Sequence, residues 1–248
     1  GEKTGHYDWR AVRGRMENQN LTEEARQNLR QDYLPKLKLP LWQRKDMFCM
    51  NTDTVLLGEQ MVVRKGESVL DLGCNNGALL LYASRFSPGS LTGVDLLPQA
   101  LALAAENMRI NGLEAELICA DLAEFRHLPF DVIVCNPPYF ATPDPASINP
   151  NPFLATARHE AGCTLETLFA AGGRLLKDKG RFYLVHRADR LAQIIAALQN
   201  SPLTLREATL VFDRRTRQAT AVIAELRKGK LGPVRFREPL WRPESDQE

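Results

Sequence analysis

Short apolar runs and longer amphipathic stretches alternate along the chain from residue 68 onward. Ser68–Leu72, Ser90–Asp95, Ala115–Cys119, Val132–Cys135 and Arg181–Val185 have the length and content of buried strands, and Ala78–Phe86, Pro98–Asn111, Leu165–Leu176 and Arg190–Leu198 have helical spacing. Strand alternating with helix implies a mostly parallel sheet with helices on both faces, because each parallel connection needs a crossover. The last two runs, Leu205–Phe212 and Ala219–Leu226, are joined only by residues 213–218, too few for a crossover helix, so they must pair antiparallel. The pattern predicts an α/β, Rossmann-like fold with a seven-stranded sheet that ends in an antiparallel hairpin. Residues 1–40 are polar, and Leu21–Leu37 has helical character behind an Asn20-x-x-Glu23 capping pattern. The chain is thus expected to divide into a helical appendage, residues 1–37, and an α/β domain, residues 38–248.

Composition changes this picture little. With 44% apolar and 25% charged residues the chain is ordinary globular material, able to bury a core unaided. Cys49, Cys74, Cys119, Cys135 and Cys163 are scattered, with no C-x-x-C pair and no histidine cluster beside them, so neither disulfides nor a metal site are expected. No apolar run approaches the roughly 18 residues of a membrane span, and residues 1–6 lack a signal peptide's apolar stretch. A cytoplasmic protein is expected, and a monomer, since no stretch reads as a dimer surface. The net charge of +2 is unevenly spread: Arg174, Lys177, Lys179, Arg181, Arg187 and Arg190 crowd residues 174–190, and a second basic run covers residues 213–237. These runs either form a phosphate-binding face or are solvated loop ends.

Three carboxylates fall at successive strand ends. The run Val69-Leu70-Asp71-Leu72-Gly73-Cys74-Asn75-Asn76-Gly77-Ala78 leaves a strand and opens a helix, and its glycines let backbone approach a ligand closely. Asp95 follows 24 residues after Asp71, and Asp121 ends the next strand. Such acids either hold a nucleoside or cap helices. The glycine run resembles the D-x-G-x-G-x-G signature of S-adenosylmethionine-dependent methyltransferases, with Asn75 where a third glycine is usual. Asn is among the few residues that enter the left-handed region cheaply, so the turn is expected to survive. The resemblance implies that S-adenosylmethionine is the cofactor, with Asp71 holding its amino-acid end, Asp95 its ribose and Asp121 its adenine. Gly73, Asn75, Gly77, Leu96 and Leu122 would line the same pocket. A nicotinamide dehydrogenase also has a glycine turn followed by an acid, but has no use for the next motif.

That motif is Asn136-Pro137-Pro138-Tyr139-Phe140, directly after the strand Asp131–Cys135. Ligands of such sheets bind outside the carboxyl ends of strands, so the loop faces the donor crevice. The lone pair of an NH2 on a nucleobase or carboxamide is delocalised, which makes it a poor nucleophile. Two acceptors aimed at its hydrogens, the Asn136 side-chain oxygen and the Pro137 carbonyl, fix it and turn its lone pair toward the donor methyl. The prolines hold that geometry in advance, and Tyr139 and Phe140 offer faces for stacking an extruded base. No general base or metal is needed.

Segments around these motifs narrow the family. Leu41-Trp42-Gln43, Asn51-Thr52-Asp53-Thr54-Val55-Leu56-Leu57-Gly58, Ala157-Arg158-His159-Glu160, Val185-His186-Arg187-Ala188-Asp189-Arg190-Leu191 and Glu238-Pro239-Leu240 resemble the bacterial tRNA1(Val) adenine-N6 methyltransferases, which modify the adenine 3′ of the anticodon. The resemblance implies that Asp53 lies near the donor pocket, that Arg158 and His159 sit behind the catalytic loop, and that Arg187 and Arg190 meet phosphates of a tRNA. His159 is either a base or a hydrogen-bonded loop anchor. A guanine-N2 rRNA methyltransferase, a protein glutamine N5-methyltransferase and a catalytically dead RNA-binding subunit are the alternatives.

Overall fold

A computed structural model of the chain describes residues 27–137 and 164–243. In chain order these contain β1 (Leu29–Tyr33), β2 (Pro40–Arg44), α1 (Thr52–Gln60), β3 (Ser68–Leu72), α2 (Ala78–Ser84), β4 (Ser90–Asp95), α3 (Pro98–Ile110), β5 (Glu116–Cys119) and β6 (Phe130–Cys135). After the gap come α4 (Leu165–Leu175), β7 (Leu176–Arg187), α5 (Leu191–Leu198), β8 (Leu203–Phe212), β9 (Ala219–Lys228), β10 (Arg235–Phe236) and β11 (Leu240–Trp241). Pro138, Tyr139, Phe140, Arg158 and His159 lie outside the described residues, as do residues 1–26, where the helical expectation began.

The main sheet runs β10-β8-β9-β7-β6-β3-β4-β5, with β11 also on β8. Its β3, β4, β5, β6 and β7 are mutually parallel, while β9 is antiparallel to both β7 and β8, as the short 213–218 link requires. Among the described residues the main sheet has nine strands where seven were expected, the additions being the two-residue β10 and β11. Alternation of side chains along each strand divides the core in two. Val69, Val132 and Val134 face one side with Leu57, Leu80 and Tyr82, while Leu70, Leu72, Ile133 and Cys135 face the other with Phe169, Phe182 and Ile194. Among the described residues no helix is long and apolar enough to cross a membrane.

Residues 29–33 are a strand, not the helix that Leu21–Leu37 suggested. β1 pairs antiparallel with β2, from Leu29 opposite Arg44 to Tyr33 opposite Pro40. Pro35 stops a helix there, and the turn uses Lys36 and Lys38 at positive φ with Lys38 N donating to Leu34 O at 2.9 Å. Leu34 and Leu41 are buried in the core, so residues 27–37 pack as part of the α/β fold.

What locks this hairpin down is Asn107 of α3, which has no exposed surface. Its Oδ1 accepts from Trp42 N at 2.7 Å, and its Nδ2 donates to Trp42 O at 2.9 Å and to Asn76 O at 2.8 Å. One side chain thereby joins β2, α3 and the glycine turn. Asn107→Ala strands three buried backbone groups and should cost about 3 kcal/mol, read as a lower urea midpoint. A loss under about 1 kcal/mol would show that the hairpin is held by apolar packing instead.

Candidate active site

Chain order reverses at β3: β4 and β5 extend to one side of it and β6 and β7 to the other. A crevice therefore opens outside the carboxyl ends of β3 and β6, where no crossover helix can cover it. The turn after β3 runs along this crevice. Gly73, Asn75 and Gly77 have φ of 74°, 46° and 81°, so Asn75 occupies the left-handed region as its residue type allows. A Cβ on Gly73 would meet nothing within 4 Å, which leaves open space in front of the turn. At Gly77 a Cβ would lie 3.1 Å from Met108 Cε and 3.3 Å from Ala104 Cβ, so this glycine also serves the packing of α2 on α3.

The Asn75 side chain reaches out of its own turn. Its Nδ2 donates to Phe48 O at 2.8 Å, tying the loop before α1 to the glycine turn. Gln43 strengthens the same tie: its Oε1 accepts from Met50 N at 2.6 Å and from Asn76 Nδ2 at 3.1 Å. Gln43, Asn76 and Asn107 shape the crevice wall without having been identified from sequence. Polar residues of this type are common on surfaces, and only their burial distinguishes them.

The three acids differ in environment. Asp71 is buried in β3, and neither of its oxygens has a hydrogen-bond partner among the described residues. Burial, with a smaller push from the charge of Asp95, holds its carboxyl well above the usual carboxylate range. Two orphaned acceptors beside an open glycine turn fit a ligand that brings hydrogen-bond donors. Asp95, half-buried at the end of β4, accepts from Asn75 N at 2.8 Å and Leu97 N at 3.0 Å. Burial holds its carboxyl above the usual carboxylate range, against a smaller opposing pull from these backbone N–H groups. Leu96 beside it is exposed. Asp121 is exposed beyond β5 and caps a turn, accepting from Ala123 N at 2.8 Å, with half-buried Leu122 beside it.

On the other side of the switch point, Asn136 directly follows β6 and is buried together with Pro137. Its Nδ2 donates to Thr54 Oγ1 of α1 at 2.9 Å. Asp53, next to Thr54, is paired with Arg242 at 2.7 Å, and Arg242 also donates to Thr220 Oγ1 at 2.8 Å. The chain beyond β11 is thus pinned to the start of α1.

The basic runs split between opposite sheet edges. Arg174 donates to Leu122 O and Phe125 O, Lys177 pairs with Asp131, Arg181 with Glu67, Arg227 with Glu225, Lys228 with Asp178, and Arg235 and Arg237 with Glu207. Most of these cations are therefore structural, and Lys177, Arg181 and Lys228 sit at the edge where β7 begins and β9 ends. The two runs therefore do not form one continuous basic face, and most of their cations are neither phosphate-facing nor simply solvated but ion-paired. At the crevice edge are Arg187, paired with Asp189, Arg190 in the turn before α5, and the β8–β9 turn with exposed Arg214, Arg215 and Arg217. Register places them there: Arg187 at the end of β7 lies opposite Ala221 near the start of β9.

The state of Asp71 has a measurable consequence. Folding raises its pKa, so ionising it costs the apo fold stability, and that cost grows as pH rises from about 4 and is complete above the raised pKa. Asp71→Asn removes the ionisation, and the variant should match the parent near pH 4 and exceed it in stability at pH 8. A stability difference that does not change with pH would mean that Asp71 is compensated in the apo protein.

The profile of the family "Methyltransferase small domain" matches residues 38–201. The tRNA1(Val) (adenine(37)-N6)-methyltransferase of Shewanella woodyi is 30% identical over 175 residues, 67% of this chain and 71% of that protein. A protein of the same name from Flavobacteriaceae bacterium strain 3519-10 is 32% identical over 152 residues, which span 60% of this chain and 63% of that relative, just under two thirds of its length. Among solved structures, a predicted O-methyltransferase from Agrobacterium tumefaciens shares the fold at 21% identity, with a TM-score of 0.58 over 79% of this chain and 90% of that one. The switch-point crevice, the glycine turn and the profile match together place this chain in the methyltransferase small domain family, on the class I fold of S-adenosylmethionine-dependent methyltransferases.

Proposed function

We propose that this protein transfers a methyl group from S-adenosylmethionine to N6 of an adenine in tRNA. The observation that carries this reading is the Asn136 carboxamide, buried at the carboxyl end of β6 across the switch point from Asp71. Asp71, Gly73, Asn75, Gly77, Asp95, Leu96, Asp121 and Leu122 would hold the cofactor, which, when bound, supplies a methyl already activated on a sulfonium. Asn136 Oδ1 and the Pro137 carbonyl accept the two N–H bonds of the acceptor amine and align its lone pair, so the protein contributes orientation rather than proton transfer. Tyr139 and Phe140 follow in sequence as stacking faces for the base, and Arg158 and His159 are further candidates for substrate contact. Adenine in tRNA is favoured over other NH2 acceptors by the names of the relatives and by the arginines on the crevice edge.

Paired substitutions test the two halves. Asn136→Ala should abolish methyl transfer while calorimetry shows S-adenosylmethionine binding within about twofold of the parent, and Asp95→Ala should weaken that binding at least about tenfold. Tritium from labelled S-adenosylmethionine should enter the tRNA fraction as N6-methyladenosine. Label found only in protein would replace this reading with glutamine methylation.

The split of basic residues makes a separate prediction. Arg214, Arg215 and Arg217 replaced together by Gln should weaken tRNA binding and lower the slope of log affinity against log salt by about 2 to 3. Lys177, Lys179 and Lys230, on the opposite edge, should leave that slope unchanged when replaced in the same way.

A further inference from the structure

We infer that Thr54 is a positioning residue that determines which end of the Asn136 carboxamide faces the acceptor amine; this rests on the role proposed above for Asn136. The polarity can be followed bond by bond. Asn51 caps α1, and because Thr54 N, which can only donate, points at its Oδ1 at 3.0 Å, that atom must be the acceptor oxygen. The Thr54 hydroxyl then spends its single proton on the same oxygen, at 3.1 Å. Its oxygen accepts from Asn51 N at 3.4 Å, and the lone pair that remains meets Asn136 at 2.9 Å. With the hydroxyl proton held by Asn51, the end of the carboxamide that meets this lone pair is its NH2. A reversed carboxamide would either draw the hydroxyl proton off Asn51 Oδ1 or set two oxygens against each other, and both are costly in a buried place, with Thr54 and Asn136 5% and 9% exposed. The oxygen end of Asn136 is therefore the end left to accept from an amine.

The capping box of α1 thus acts at a distance in sequence: Thr54 and Asn136 are 82 residues apart. Remove the hydroxyl and the buried NH2 loses its acceptor. It then gains by turning toward the wet crevice, where it offers the amine a donor instead of an acceptor. An unpaired buried N–H biases such a turn by about 10- to 100-fold, so productive complexes should fall by that factor.

Thr54→Val keeps the shape and deletes the lone pairs, Thr54→Ser restores them, and Asn51→Asp keeps an acceptor at the cap. Each is assayed with saturating S-adenosylmethionine and tRNA at a temperature where circular dichroism shows all variants folded. We expect kcat of Thr54→Val to drop about 10- to 100-fold with both KM values within about twofold, while Thr54→Ser and Asn51→Asp stay within about threefold of the parent. An independent readout needs no turnover: the Asn136 side-chain amide resonances, identified by their loss in Asn136→Ala, should be protected from solvent exchange in the parent and Thr54→Ser and unprotected in Thr54→Val. Unchanged protection in Thr54→Val, a kcat within twofold of the parent, or an equal loss in Thr54→Ser would each overturn the inference. If the parent methylates an NH2 other than tRNA adenine, the substrate reading falls, and the same comparison on that acceptor, with the resonance data, still decides the role of Thr54.

Discussion

Everything around the crevice hangs on a buried polar knot beneath it. Asn107 binds both backbone groups of Trp42 and the carbonyl of Asn76, and Gln43, one residue along, binds Met50 N and the Asn76 side chain. These bonds join three stretches of chain that no regular ladder connects: the N-terminal hairpin, the loop before α1 and the glycine turn. In a buried setting each such group must be paired, so the knot admits one arrangement of the three segments rather than several. The glycine turn can then be open toward ligand on one side because it is tied on the other. The position of α1, and through it of Thr54 and Asn136, follows from the same constraint.

How far this was legible in the sequence depends on the kind of signal. Strands β3 to β9 alternate or run apolar in short lengths, and the link at 213–218 is too short to cross over, so the parallel sheet and its antiparallel end could be read from spacing alone. Asn75 could be foreseen at positive φ because few other residues tolerate it, and it has φ 46°. The hairpin β1–β2 is masked in the sequence by the helical periodicity of residues 21–37, and only Pro35 and Pro40 mark that a helix cannot continue there. Gln43, Asn76, Asn107 and Thr54 were not singled out as site residues because their bonds run to partners distant in sequence, and a side-chain amide carries no local mark of what it will meet. The target of the Asn75 side chain, Phe48 O, belongs to the same class.

Charge was the least legible signal, and topology explains why. A run such as 174–190 looks uniform in sequence, but it begins at one edge of the sheet and ends at the other, because β7 traverses the sheet between Lys177 and Arg187. Cations at the starting edge meet Asp131, Glu67 and Asp178 and are spent on holding the strand ends. Those at the crevice edge lie in turns, and Arg214 and Arg217 stand over the ring of Trp241, 5.9 Å and 5.0 Å from its centre. That contact holds the arginines by their apolar planes while leaving charge exposed. Net charge of +2 is therefore compatible with a strongly basic margin beside the crevice.

Asp71 and Asn136 illustrate two opposite ways of preparing a polar group for a ligand. Asn136 is pre-paired at its nitrogen end, so its orientation is settled before anything binds and little entropy remains to be lost. Asp71 is left without partners among the described residues, which costs the apo fold stability and makes any donor-bearing ligand more welcome. The difference suits their positions. A group that must align a reacting atom gains from rigidity, because misplacement of about 1 Å is costly in rate. A group that only has to retain a cofactor gains from an unmet demand for hydrogen bonds. With Asp71 in the role proposed for it, the stability lost there would be regained when the ligand binds, by mass action on the folded state.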